Sequence, residues 1–388
     1  MSISGPSLGD VCRMDRRTLP TAEAAKAGLE FVGMEHVNPD TGRIAIGYGS
    51  RTGDGKGLSF RFDGRHVLFG KLRPYLRKIA LPEGEGCSST ELVPLLPDAK
   101  RLDRGYLFHW LRRSQVIDVL MAKNTGARMP RADMGVLLRM PLALPPLDEQ
   151  RRIVGLLDRA SEIRRRSEAA RAKARAIIPV LFLDTFGDPA TNTKGWPVVA
   201  LGDVIERITG GKNLEAGNGA SPYRIMKVSA VTSAVLKPEE SKPAPDDHIP
   251  LPAHHVRDGD FLFSRANTSE LVGAVAIAHG TPPGLLLPDK IWRIEWNRDR
   301  VKPRYAYSLL RTSDVRRIFA TIGSGTSDSM KNISQAKLVR VQVMLPPLDL
   351  QSIFAGHVEH IEGVAHNLDS TAAKAEAMAA ALSAEVFE

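Results

Sequence analysis

The chain has 388 residues, 43% apolar and 25% charged, proportions of two or three globular domains that exclude a disordered, collagen-like or purely coiled-coil protein. No apolar run reaches the roughly 18 residues of a membrane span, and Met1–Asp10 lacks a charged-then-apolar leader, so a cytoplasmic protein is expected. Two cysteines, Cys12 and Cys87, are too few for a disulfide framework or a cysteine-based zinc site, while a net charge of +9 suits a polyanionic partner without proving one.

In chain order, residues 1–147 carry short β-branched and aromatic runs between Gly/Pro turns, at 30–37 and 66–69 for example, and a helical pattern follows over 106–121. A long helix is predicted from residue 148. Its apolar or small residues Ile153, Leu156, Ala160, Ile163, Ser167, Ala170, Ala174 and Ile177 alternate at three and four, as in a coiled-coil seam. Pro179 is expected to end or kink this helix near 182, and Gly187, Pro189 and Gly195 mark a linker over 183–195. Residues 196–348 are mixed again, with strand-like runs at 223–231, 261–264 and 273–279 and a helix near 305–321. A second seam over 349–388 runs through Phe354, Val358, Ile361, Ala365, Leu368, Ala372, Ala375, Ala379, Leu382 and Val386.

This order is a duplication, the first thing to seek in a chain of this length. Leu8-Gly9-Asp10-Val11 returns as Leu201-Gly202-Asp203-Val204. The block from Leu144 to Asp148, Leu-Pro-Pro-Leu-Asp with Gln150 two residues on, returns from Leu345 to Asp349 with Gln351. The segment from Tyr106 matches that from Tyr305. The separations of 193, 201 and 199 residues keep order and spacing. Residues 148–182 have a net charge of +4 and 349–388 of −6, so the two helices are expected to pair with each other, antiparallel because a whole domain is crossed between them. The alternative is that each meets a separate subunit. The fold class expected is α/β or α+β: two similar domains with mixed sheets, two long helices in an antiparallel coiled coil, and a pseudo-twofold internal repeat.

The block from Leu144 to Val154 leading into a long helix, then Phe186-Gly-Asp-Pro189 and Lys194-Gly-Trp-Pro197 before Leu201-Gly-Asp-Val204, resembles the specificity (S) subunit of type I restriction–modification systems. The likeness covers essentially the whole chain. One departure is Asp349-Leu350-Gln351, which lacks the acidic residue of Asp148-Glu149-Gln150. The resemblance implies two target recognition domains, 1–147 and 196–348, each reading half of a split, asymmetric site in double-stranded DNA. It implies spacer helices over 148–182 and 349–388 that dock two methyltransferase (M) subunits. It also implies that S-adenosylmethionine for adenine-N6 methylation belongs to those subunits, and ATP and Mg to two restriction (R) subunits where the system has them. The chain itself would be non-catalytic and hold no cofactor.

The residues agree in part with that picture. Residues 1–147 carry a net +7 and 183–348 a net +4, which suits phosphate contacts and equally suits a basic protein with solvated Lys and Arg. After a buried strand at 67–69 comes a turn bearing Lys71, Arg73, Tyr75, Arg77 and Lys78; after the strand at 261–264 come Arg265, Asn267, Thr268 and Ser269. Arginine grips guanine O6/N7 and asparagine adenine N6/N7 by paired hydrogen bonds, whereas Lys71 and Lys78 suit phosphates. Two polar loops join the candidates, with Arg128 and Arg131 in one and Lys331 and Asn332 in the other. Each of these residues equally suits a structural role. A helix of about 26 residues from Ile153 would span about 40 Å, near one DNA turn of roughly 34–36 Å.

A search for catalysis returns no active site. Pro145-Pro146 and Pro346-Pro347 are followed by Leu rather than the aromatic of an adenine-methyltransferase loop, and no phosphate loop is present. Glu240-Ser241-Lys242 lacks the preceding Pro-Asp of a nuclease motif, His357 and His360 lack a third metal ligand, and Asp246, Asp247 and His248 read as a polar loop. A specificity subunit of a methylation-only or other phage-defence assembly, or a protein–protein scaffold whose mixed domains bind peptides, remain alternatives.

Overall fold

A computed structural model describes residues 5–45, 57–122, 129–219, 221–325 and 330–387. The chain divides into two compact units, one of Met1–Ala169 with Leu368–Glu388, the other of Ala170–Asn367.

The first unit is built on a four-stranded antiparallel sheet in the order Cys12–Met14, Leu92–Pro97, Val67–Gly70, Ile79–Ala80. Val67–Gly70 is buried along its whole length, which is why it reads as a continuous apolar run rather than an alternating one. A second sheet orders Thr18–Pro20, Leu58–Phe62, Gly86–Ser89 and Glu30–Val32, the last pair parallel. The expected run at 30–37 is therefore a three-residue strand followed by a 3-10 turn, Met34–His36.

The second unit repeats the main sheet strand for strand: Ile205–Gly210, Ile291–Trp296, Phe261–Ser264, Val275–Ile277. Register is conserved as well. Phe69 lies opposite Val93 in one unit and Phe263 opposite Trp292 in the other. The smaller sheet differs, with only Ser241–Pro243, Arg224–Met226 and Leu285–Leu286, though it keeps a parallel pair. The units thus share a scaffold and vary around it.

Each single helix expected after the sheet is two. Arg104–Leu111 and Ser114–Met121 break at Arg112–Arg113, and Pro303–Leu310 and Ser313–Ile322 break at Arg311–Thr312. Asp103 caps the first of these by accepting the amides of Gly105 and Tyr106. Breaking the helix lets both arms present apolar faces to the sheet: Tyr106, Trp110, Val116 and Leu120 enter one core, Tyr305, Leu309, Val315 and Phe319 the other.

The repeated Leu-Pro-Pro-Leu-x-x-Gln block is a clamp. Gln150 is wholly buried; its Oε1 accepts the Asp103 amide (2.8 Å) and its Nε2 donates to the carbonyls of Arg101 and Pro145 (both 2.8 Å). Gln351 does the same, accepting from Lys302 and donating to Arg300 and Pro346. One side chain satisfies three buried backbone groups where a long helix begins.

The long helices are Leu147–Phe186 and Leu348–Phe387, 40 residues each, so each is about 60 Å long. That corrects two expectations. The near match to one DNA turn does not follow from helix length, and of the two outcomes expected of Pro179 it does not end the helix, because it lies inside it. Proline removes one backbone donor, but Phe182 and Phe186, both buried, hold the next two turns in place. The helix stops instead at Gly187, whose φ of +80° suits glycine beyond a C-terminus.

Both helices pack antiparallel. In the first unit Ile153 and Leu157, near the start of one, share a core with Ala379, Leu382, Val386 and Phe387, at the end of the other. In the second unit Phe182 and Phe186 lie 5.7 and 5.2 Å from Phe354. The terminal aromatics dock equivalently: Phe387 is 4.9 Å from Tyr106, and Phe186 is 4.9 Å from Tyr305. The second seam is as expected, every residue buried or half-buried. In the first, Ile153 and Ser167 are buried and Ala160, Ala170 and Ala174 half-buried as expected. Leu156, Ile163 and Ile177, however, are exposed, and Leu157, Arg164, Arg171 and Ile178 are buried or half-buried in their place. A half-buried arginine can cover apolar surface with its stem, a contribution that a count of apolar residues overlooks.

Candidate nucleic-acid interface

In each unit, backbone pairing joins two segments that lie far apart in sequence. Leu72 pairs with Arg131, the Ala132 amide donates to the Lys71 carbonyl (2.7 Å), and the Arg73 amide donates to the Pro130 carbonyl (2.7 Å). In the other unit Ala266 pairs with Asn332 and Asn267 with Lys331, and the Ile333 amide donates to the Arg265 carbonyl (2.8 Å). The Lys71 amide donates to Glu91, and the Arg265 amide to Lys290. The duplication therefore extends to this edge. Lys71, Arg73 and Arg131 meet in one unit, and Arg265, Asn267, Lys331 and Asn332 in the other. Arg128 lies outside the described residues.

The side chains divide by what already holds them. Glu91 draws in two cations, with Lys71 Nζ at 4.0 Å and Arg131 at 3.2 Å. Arg77 donates to Ser114 Oγ (3.0 Å), and Lys78, half-buried, donates to the Val37 carbonyl (2.6 Å). These contacts make Lys78 a brace for the turn as it stands. The Arg265 guanidinium lies 5.4 Å from the centre of the buried Trp292 ring, a cation–π contact. Asn267 Oδ1 accepts the Thr268 amide (2.9 Å), and the Thr268 carbonyl accepts the amides of Leu271 and Val272. Ser269 is half-buried beside them. Lys331 Nζ is 3.5 Å from the Gly325 carbonyl, and Asn332 exchanges both backbone bonds with Ser324.

Arg73 and Tyr75 are exposed, and neither side chain hydrogen-bonds or ion-pairs among the described residues. The backbone around them is unusual. Arg73 (φ +50°) and Arg77 (φ +48°) both take the left-handed conformation on either side of a 3-10 turn, Pro74–Leu76. Non-glycine residues rarely adopt it, so the pairing to Pro130 and the rigid Pro74 hold this turn outward at a cost.

Sequence reasoning missed three features here. Glu91 and Trp292, which organise the cations, lie on or beside other strands and carry no local motif. Met129 and Met330 occupy matching positions beside the paired segments and are exposed. His66 is completely buried between two carboxylates, Nε2 at 3.1 Å from Asp15 and Nδ1 at 3.0 Å from Asp63. The Arg65 guanidinium, with His66 beyond it, holds the Asp63 carboxyl well below the usual carboxylate range.

Outside this edge, Glu240 accepts the Ser229 hydroxyl and Lys242 donates to the Leu214 carbonyl, so both serve the local fold. Among the described residues no group of three or more His, Cys, Asp or Glu is placed to hold a metal ion, and no helix is long and apolar enough to cross a membrane. Cys12 and Cys87 are buried free thiols, and burial pushes Cys12 up to about 12, leaving it protonated at neutral pH.

No family model matches the chain. It is 28% identical over 180 residues to the EcoEI specificity subunit, a type I restriction enzyme component of Escherichia coli; the match covers 45% of this chain and 30% of that protein. To the EcoKI specificity subunit of Escherichia coli K12 it is 22% identical over 300 residues, 73% of this chain and 64% of that one. The chain thus spans less than a third of the EcoEI subunit's length and just under two thirds of the EcoKI subunit's. In fold it is similar to the type I restriction–modification S subunit of M. genitalium, with a TM-score of 0.58 and 11% identity over 98% of this chain and 95% of that one. A chain described for complex assembly and conformational transition of the type I R-M system gives a TM-score of 0.58 and 21% identity, covering 98% and 96%. The resemblance carried by the Leu-Pro-Pro-Leu blocks is borne out: the relatives are type I specificity subunits, and the chain shares its fold with the solved M. genitalium S subunit.

Proposed function

We propose that this chain is the DNA-reading subunit of a type I restriction–modification complex, with residues 1–147 and 196–348 each recognising one half of a split, asymmetric site. The observation that carries it is the doubled edge: one backbone pairing, built twice on one sheet register, presenting Lys71 and Arg73 in one unit and Arg265 and Asn267 in the other. One main-sheet scaffold built twice with different side chains is what a single chain needs to read two different half-sites. The chain performs no chemistry. Methylation of adenine uses S-adenosylmethionine held by two M subunits, and ATP and Mg act in R subunits where these are present, all in the cytoplasm. Leu156, Ile163 and Ile177, apolar yet exposed at intervals of seven and fourteen residues, support helix docking by the M subunits.

The test is a gel-shift titration of the S subunit assembled with its M subunits, at two salt concentrations. Binding that weakens steeply with salt is expected, because each phosphate contact releases a counterion. Absent or salt-independent binding contradicts the proposal and favours a peptide-binding scaffold.

A further inference from the structure

The register of the doubled edge matches individual residues. Leu72 faces Arg131 where Ala266 faces Asn332, and Lys71 and Arg265 each give a carbonyl to the opposite segment and an amide to the strand turn. One residue further, Arg73 corresponds to Asn267. Lys71 and Arg265 are equivalent to each other, and both are already engaged, by Glu91 and by Trp292.

Resting on the reading of the chain as a DNA-specificity subunit, we infer that Arg73 and Asn267 are its matched base-reading pair: Arg73 specifies a guanine in one half-site and Asn267 an adenine in the other. Arg73 is exposed, and its guanidinium has no hydrogen bond or ion pair among the described residues. It is therefore available for the fork of two donors that guanine O6 and N7 accept. Asn267 is fixed the right way round. The Thr268 amide requires an oxygen acceptor, so Oδ1 is turned to it. That leaves Nδ2 to donate to adenine N7 and the second lone pair of Oδ1 to accept from N6. Lys71 and Arg265, one step back, are already held by Glu91 and Trp292 and are assigned to the phosphates, which need charge alone.

Arg73→Gly and Asn267→Asp test the assignment with the fold preserved. Glycine suits the φ of +50°, and aspartate keeps the acceptor for Thr268 while losing the amide donor. Each variant is assembled with its M subunits, and the methylated motif is read by single-molecule sequencing. Arg73→Gly is expected to relax one guanine in one half-site, lowering discrimination there roughly tenfold to a hundredfold and leaving the other half-site unchanged. Asn267→Asp is expected to lose one adenine in the opposite half-site. Arg265→Ala should weaken methylation at all sites without altering the motif. If the wild-type complex methylates a split motif and both Arg73→Gly and Asn267→Asp retain it, the pair is not the reader, although the DNA-specificity reading stands. If the wild-type complex itself shows no sequence preference, that reading falls and the pair falls with it.

Discussion

Gln150 and Gln351 show what one buried side chain can do for a junction. Each bonds three backbone groups that would otherwise be buried without partners. Gln150→Ala is therefore expected to cost at least about 2 kcal/mol, since each stranded buried group costs roughly 1–3 kcal/mol. Thermal unfolding of the variant checks it, and an unchanged midpoint would mean that water replaces the amide. The Asp15–His66–Asp63 cluster, with Asp63 half-buried, gives a pH prediction. The Asp63 pKa is depressed below 3.8 in the folded state, chiefly by Arg65. Its contribution to stability is thus complete above the unfolded value and lost as pH falls through the folded one. The stability gap between the wild type and Asp63→Asn should hold near neutrality and close progressively below about pH 4. A gap that widens in acid would contradict this. The repeat made the glutamine positions legible in the sequence, but not their role, because a clamp is defined by three carbonyl and amide partners that no local pattern names. His66 was invisible for the same reason, its partners lying 51 and 3 residues away.

At the level of elements, the fully buried strands Val67–Gly70 and Phe261–Ser264 and the second helical seam were legible because burial sets their apolar pattern. The runs at 30–37 and 223–231, by contrast, each proved to be a three-residue strand followed by a 3-10 turn. The first seam departs at Leu156, Ile163 and Ile177 because its apolar residues lie on two faces: Ile153 and Leu157 pack inward, while Leu156 and Ile163 do not. Periodicity counts both faces alike, and Arg164 and Arg171, half-buried on the inner one, are scored as polar. The exposed face yields a prediction: Leu156→Asp with Ile163→Asp should leave the unfolding midpoint nearly unchanged, since surface substitutions fall within about 0.5 kcal/mol. The same variant should abolish co-purification of the M subunit. Retained co-purification would place the docking surface elsewhere. The helix ends are the opposite case. Phe186 and Phe387 are fully buried against Tyr305 and Tyr106, so replacing either with alanine should cost roughly 3–5 kcal/mol, measurable by denaturant titration. The continuation of the first helix past Pro179 was not legible, because it depends on Phe182 and Phe186 finding an aromatic core supplied by residues 305 and 354.

Across the whole molecule, duplication is what sequence and structure share most closely. Two units repeat one sheet order, one strand register, one glutamine clamp and one pair of joined segments, and they differ in the residues those segments carry. The candidate residues were legible as two clusters per unit, but their pairing was not, since Lys71 and Ala132 lie 61 positions apart and only the folded sheet brings them together. The central claim is that one chain reads two unlike half-sites with two copies of one device. Single-molecule sequencing of DNA methylated by the wild-type complex tests this most directly. Two different half-sites separated by a fixed gap of unspecified bases, each holding a methylated adenine, is the predicted result; a palindrome, an uninterrupted motif or scattered methylation would contradict it.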